Sequence, residues 1–318
     1  MRLVTYLAVT AFGEIERLGA IAGERIVDLA AANEARALAH EGPAAVAPAR
    51  ELVPPSLAGL LAREQEGMRA ARAALEHALA GNRFSVPLEG TRLKAPLPRP
   101  NSIRDFMVVE EHVRRSGLPV PEEWFEIPVY YKGNADAVFG PGDEIRWPAY
   151  TEKLDYELEL AIVIGRRGRG VPVDEAPDYI AGYTLFNDWS ARDIQMREMK
   201  VGLGPALGKD FANSFGPCLV TADEIADPHG IAMQARINGE VWSSGTLGAM
   251  RFSFAEIVSH ISQEQPLVPG DVLGSGTVGG GCGLELDRWI QPGDAVELEA
   301  DTIGVLANRV VRDAHPSE

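Results

Sequence analysis

The stretch "LDYELELAIVIG", residues 154–165, decides how the chain is read. Its second half is dense in Leu, Ile, Val and Ala and stops at Gly165, the pattern of a buried or half-buried strand. Side chains alternate on a strand, which would put Asp155, Glu157 and Glu159 on one face and Tyr156, Leu158 and Leu160 on the other. Two carboxylates two residues apart lie roughly 7 Å apart along a strand. Their charges repel, and a partly buried carboxylate is costly. Either that face is wet or a cation sits on it.

The rest of the chain suits a metal-using globular protein. It has 318 residues, 46% of them hydrophobic, and a net charge of −16 with no basic stripe. That balance argues against nucleic-acid partners and leaves acids to spare. Two cysteines, Cys218 and Cys282, make neither a disulfide framework nor a cysteine zinc site, so a reducing cytoplasm is expected. No apolar run approaches the ~20 residues of a membrane span. The N-terminal "MRLVTYLAVT" reads as the first strand of a hairpin rather than a signal peptide, because Glu14 and Glu16 follow at once.

Residues 1–30 read as strand, loop and strand, with a turn at Gly23-Glu24. The Ala-rich "LAREQEGMRAARAALEHALAG" (61–81) has helical spacing ending at Gly81. The proline-rich "APLPRPNS" (95–102) reads as a linker and sets a boundary near residue 93, giving domains 1–92 and 93–318. Beyond it, short strand-like runs alternate with Gly and Pro-Gly signals, with short helices near 190–200 and 253–263. The expected fold is therefore α+β, mainly β, with a smaller N-terminal α/β domain. The "PGD" at 141–143, 269–271 and 292–294 reads as a recurring strand-entry turn rather than an internal repeat.

Three further segments carry candidate chemistry. "NDWSARDIQ" (187–195) ends a strand and starts a helix, with Ser190 and Asp193 resembling a capping box and Arg192 and Gln195 on one helical face. "IRDFMVVEEHVRRSG" (103–117) holds His112, seven residues after Asp105; His40, His77, His229, His260 and His315 look like surface, helix or tail residues. "GSGTVGGGCGLELDRW" (274–289) is glycine-dense without matching the phosphate-loop pattern, which points to close approach by a ligand or another backbone.

Together "LDYELELAIVIG", "NDWSARDIQ…GPALGKDF", "IPVYYKGNADAVFGPGD" and "GSGTVGGG…LEL" resemble the fumarylacetoacetate hydrolase family over roughly residues 97–310. The resemblance implies a mixed β-roll catalytic domain, a divalent Mg²⁺ (or Mn²⁺ or Ca²⁺), a homodimer and a small oxo-acid substrate. It implies Glu157, Glu159 and Asp188 as metal ligands and Asp105 as a fourth. It implies His112 as the catalytic histidine oriented by Glu285. Arg192, Gln195 and Lys209 would surround the reacting carbonyls, and Tyr131 and Thr277 would contact substrate. The expected reaction is hydrolytic cleavage of a C–C bond in an acylpyruvate-type acid, with decarboxylation, isomerisation or non-catalytic metal binding as alternatives. Two positions depart from the family pattern. Arg115 stands where one branch has an acid three after the histidine, leaving Glu110, Glu111 and Glu285 as possible partners of His112. The substrate-reading arginine of another branch has no counterpart in "SGLPVPEEW" (116–124).

Overall fold

The computed structural model describes residues 1–312, so the last residues of the expected second domain, His315 among them, lie outside it. The chain forms a mixed, sheet-dominated α+β fold. Its largest sheet has eleven strands. From one edge these are Ser85–Pro87, Arg25–Asp28, Gly13–Ala22, Arg2–Thr10, Asn213–Thr221, Ile180–Asp188, Leu158–Ile164, Asp271–Gly274, Ser102–Phe106 and Tyr130–Gly133, with Val138–Phe139 also pairing to Asn213–Thr221. A five-stranded sheet runs Glu240–Gly245, Met233–Ile237, Ala295–Ala300, Gly304–Val311, Glu144–Arg146.

The apolar run of the opening stretch is a central strand, and every residue of Leu158–Ile164 is buried. Burial on both faces explains why its sequence is nearly continuous in aliphatic residues rather than alternating. The N-terminal hairpin forms as expected, Arg2–Thr10 pairing with Gly13–Ala22, which then turns at Gly23-Glu24 onto Arg25–Asp28 with Ile21 opposite Ile26. Its first strand joins the main sheet, Arg2 and Leu3 facing Val220 and Leu219. The helix Glu64–Gly81 buries Gly67, Ala70, Ala71, Ala74 and Ala78, a small-residue stripe that packs closely on Leu29–Glu41 and the sheet. The proline-rich segment is packed along the first strand, where the Thr5 hydroxyl donates to the Pro96 carbonyl at 2.8 Å.

The three PGD turns share one construction. In each, the aspartate accepts a hydrogen bond from the amide three residues earlier: Gly140 to Asp143 at 2.8 Å, Val268 to Asp271 at 2.9 Å and Gln291 to Asp294 at 2.7 Å. The middle glycines have φ of 78°, 94° and 97°, a region side chains avoid. This is local turn chemistry, in keeping with the turn reading.

Two local expectations fail. Strand alternation does not run through residues 154–159. Leu154–Asp155 pairs with Ser190–Ala191 as a separate two-stranded piece, and the main strand starts only at Leu158. Ser190 is therefore held in that pairing and does not cap the helix Arg192–Met199, which has no side-chain cap. Its hydroxyl donates to the Asp188 carbonyl at 3.1 Å, and the Asp193 carboxylate instead accepts from Thr151 and the Glu152 amide.

Register sets the functional geometry. Gly274 lies between Ala161 on one neighbouring strand and Asp105 on the other. A Cβ at Gly274 would lie 2.2 Å from Asp105 Oδ1 and 2.9 Å from the Phe186 ring. The missing side chain is what lets the Asp105 carboxylate lean over the intervening strand. Gly274→Ala is expected to cost about 1–3 kcal/mol by overpacking and to displace Asp105. Urea unfolding reads the first effect, and calorimetric Mn²⁺ titration reads a loss of affinity of about tenfold or more.

Candidate active site

Three strands of the main sheet, with Asp271–Gly274 between two of them, each bring one carboxylate to the same point: Asp105 from Ser102–Phe106, Glu159 from Leu158–Ile164, Asp188 from the end of Ile180–Asp188. Ligand oxygens of the three lie within 4.8 Å of one another, and all three residues are buried. Asp105 Oδ1 accepts from the Gly276 amide at 3.2 Å, and Glu159 Oε1 accepts from the Thr277 hydroxyl at 3.2 Å. Asp188 Oδ2 accepts from Lys209 Nζ at 2.5 Å. Among the described residues, Glu159 Oε2 and Asp188 Oδ1 have no hydrogen-bond partner.

The electrostatics follow from that crowding. Burial, then the Asp188 charge, pushes Asp105 up to about 8. Burial lifts Asp188 to about 6 against the opposing Lys209 charge. Burial and the Asp105 and Glu157 charges hold Glu159 well above the ordinary range. Orphaned, desolvated carboxylate oxygens at this separation are satisfied either by protons or by a cation. An all-oxygen donor set suits a hard divalent ion of the Mg²⁺, Mn²⁺ or Ca²⁺ type, so the residues fit the expected group.

Glu157 is held differently. Arg192 Nη2 lies 2.8 Å from Oε1, Lys209 Nζ 2.5 Å from Oε2, and His112 Nε2 3.8 Å from Oε1. Burial alone would raise its pKa, but Arg192 and Lys209 outweigh it and keep the carboxyl below the usual range. Glu157 thus borders the three-carboxylate cluster through Lys209, which touches both Glu157 and Asp188. Burial disfavours the Lys209 ammonium, yet the Asp188 and Glu157 charges win and raise its pKa.

Sequence reading gave Asp155 no separate role, and it proves to be a support. It accepts from Arg192 Nε at 2.8 Å and from the amides of Gly283 and Leu284 at 2.8 and 3.0 Å. One carboxylate thereby ties the arginine to the glycine-rich segment. That segment is shaped by backbone approach: a Cβ at Gly276, where φ is +75°, would lie 2.1 Å from the Phe106 carbonyl oxygen.

His112 sits on the short helix Glu110–Arg115 and is buried. Its Nδ1 is 2.7 Å from Glu285 Oε1, while Glu285 Oε2 accepts from the Gly280 amide at 2.7 Å. The three possible partners are thus separated by geometry, since Glu110 pairs with Arg114 and Glu111 with Arg115 one helical turn on. Residues 108–126 form that helix and the turn Glu122–Phe125. A cleft of about 220 Å³ is lined by His112, Glu157, Arg192, Gln195, Lys209, Tyr131, Thr277 and Asp105. Gln195 accepts from Arg192 Nη1 at 3.1 Å, as their shared helical face implies. The Tyr131 hydroxyl is buried and unpartnered among the described residues, and neighbouring Asp188 and Asp105 add to burial in raising its pKa. Lining residues that the sequence did not single out include Met107, Ser116, Leu118, Met196, Met199 and Pro205. The i, i+4 spacing from Arg192, Gln195 and His112 would have found Met196, Met199 and Ser116.

A family model described as fumarylacetoacetate (FAA) hydrolase C-terminal matches residues 102–311. The chain is 34% identical over 261 residues to the mitochondrial oxaloacetate tautomerase FAHD2A of Homo sapiens, covering 81% of each chain. It is 31% identical over 268 residues to the oxaloacetate tautomerase YisK of Bacillus subtilis, covering 82% of this chain and 88% of that one. In fold it resembles maleylpyruvate hydrolase from Sphingobium sp. SYK-6, solved with manganese(II) and pyruvate. The TM-score is 0.73 at 24% identity, over 99% of this chain and 100% of that one.

The raised carboxyls make a pH prediction. Asp188 and Asp105 hold protons more tightly folded than unfolded, so their contribution to stability is present at low pH. It is lost as pH rises through about 6 and about 8. Thermal melting in EDTA should therefore fall between about pH 4 and 8 by more than it does in saturating Mn²⁺, because the ion replaces the protons. Parallel pH dependence with and without metal would contradict this.

Proposed function

Because the chain belongs to the fumarylacetoacetate hydrolase family, we propose that it is a divalent-metal-dependent keto–enol tautomerase of 2-oxo acids, with His112 as the proton-transfer residue. The observation that carries this reading is the His112–Glu285 pair at 2.7 Å beside the three-carboxylate cluster. The tautomerases among its relatives support it. A divalent cation held by Asp105, Glu159 and Asp188 would supply Lewis-acid polarisation of the substrate carbonyl.

The side chains account for the remaining work. Glu285 accepts the Nδ1 proton of His112, so the Nε2 lone pair is the free one. Nε2 lies on the Glu157 side, 3.8 Å from its carboxylate, where imidazolium charge is stabilised. Arg192 and Lys209 are locked as cations by their carboxylate partners and cannot serve as bases. They donate hydrogen bonds, with Gln195, to substrate oxygens. In the reaction the C3–H bond breaks, its proton moves to Nε2 and the electron pair shifts onto the C2 oxygen. That oxygen then takes a proton from imidazolium or solvent, giving the enol with no change in formula.

A second reading uses the same dyad to activate a water for hydrolytic C–C cleavage; the orientation of Nε2 toward an open cleft favours it. Product analysis separates the outcomes: hydrolysis gives two acids, decarboxylation gives CO₂, and tautomerisation gives neither. The metal's identity and a homodimeric, cytoplasmic enzyme belong to the proposal too. No helix among the described residues is long and apolar enough to cross a membrane.

His112→Ala is expected to lower kcat by roughly 10²–10⁴ while leaving Mn²⁺ affinity unchanged by calorimetry. Full activity in that variant would remove His112 from the mechanism.

A further inference from the structure

Cys282 is buried, and proton transfer gives it no task. Its thiol donates to Glu285 Oε1 at 3.4 Å, the same oxygen that faces His112 Nδ1 at 2.7 Å. Cys282 precedes the short helix Gly283–Leu286, and Glu285 follows it by three residues, so both side chains rise from one turn. The backbone of Cys282 is bridged to that of Glu157, which fixes its place beside the dyad. One nitrogen, one sulfur and one carboxylate oxygen thus lie within 4.8 Å of one another. The Glu285 side chain is fully buried and that of His112 nearly so. This donor set differs in kind from the all-oxygen cluster of Asp105, Glu159 and Asp188. Thiolate and imidazole favour zinc-like ions, whereas carboxylates alone suit harder ones.

We propose that His112, Cys282 and Glu285 form a second metal site, selective for thiophilic divalent ions of the Zn²⁺ type, whose occupation shuts off the proton-transfer histidine. Zinc bonds of about 2.0–2.3 Å fit the present Sγ–Oε1 spacing and need the His112–Glu285 pair to open by roughly half an ångström. On binding, the thiol proton leaves to solvent, and Sγ, Nδ1 and Oε1 take the ion. A neutral imidazole carries one proton, and with Nδ1 on the metal that proton sits on Nε2. Nε2 then offers no lone pair to a substrate C–H, although the ring still lines the cleft. The inhibitory effect rests on the tautomerase reading; the ion site rests on the cluster alone.

With Mn²⁺ saturating the carboxylate cluster, Co²⁺ serves as a coloured stand-in for zinc. The wild type should develop a near-ultraviolet thiolate-to-cobalt charge-transfer band, and Cys282→Ala, which retains Cys218, should not. His112→Ala should weaken cobalt binding about tenfold or more, a check that holds even if Cys282→Ala fails to fold. In the same Mn²⁺ buffer, zinc should inhibit enolisation of oxaloacetate, and Cys282→Ala should raise the inhibiting concentration about tenfold or more. No band in the wild type, an equal band in Cys282→Ala, unchanged cobalt affinity in His112→Ala, or unchanged zinc sensitivity in Cys282→Ala overturns the proposal. Absence of turnover would sink the tautomerase reading instead, and the cobalt band still decides the site.

Discussion

The structure is organised around an excess of buried negative charge. Asp105, Asp155, Glu157, Glu159 and Asp188 are all buried in one region, against the buried cations Arg192 and Lys209. The charges of those two cations are balanced by Asp155, Glu157 and one oxygen of Asp188. What is left over is concentrated on Asp105, Glu159 and the other Asp188 oxygen. Desolvated charge of one sign is not stable in a protein interior unless it binds protons or a cation. The central strand makes this tension permanent, because its aliphatic residues fix Glu159 in the core on both faces.

Much of this was legible in the sequence, for identifiable reasons. Leu158–Ile164 announces itself as a strand because an uninterrupted aliphatic run of that length has few alternatives. The hairpin turn at Gly23-Glu24 and the helix end at Gly81 rest on local chemistry and formed as read. Glu285 as the partner of His112 came only through family resemblance, since 173 residues separate the two. The i, i+4 pairing of Glu110 and Glu111 with arginines was readable and would have removed them as candidates.

The misreadings share a cause. Ser190 looked like a cap because capping is judged from neighbours along the chain, whereas pairing with Asp155 decides its conformation. Asp155 looked like part of an acidic strand face because alternation was extended across a break that sequence does not mark. Its bonds to Arg192 and to the amides at 283 and 284 link segments far apart in the chain. The glycines at 274 and 276 signalled close approach correctly, but only register shows that what approaches is Asp105 and the Phe106 carbonyl.

The most direct test of the central claim is metal stoichiometry by elemental analysis after dialysis against Mn²⁺, comparing the wild type with a folded Asp188→Asn variant. The account predicts one tightly held ion per chain in the wild type and a near-complete loss in the variant. Equal metal content in the two proteins would contradict it.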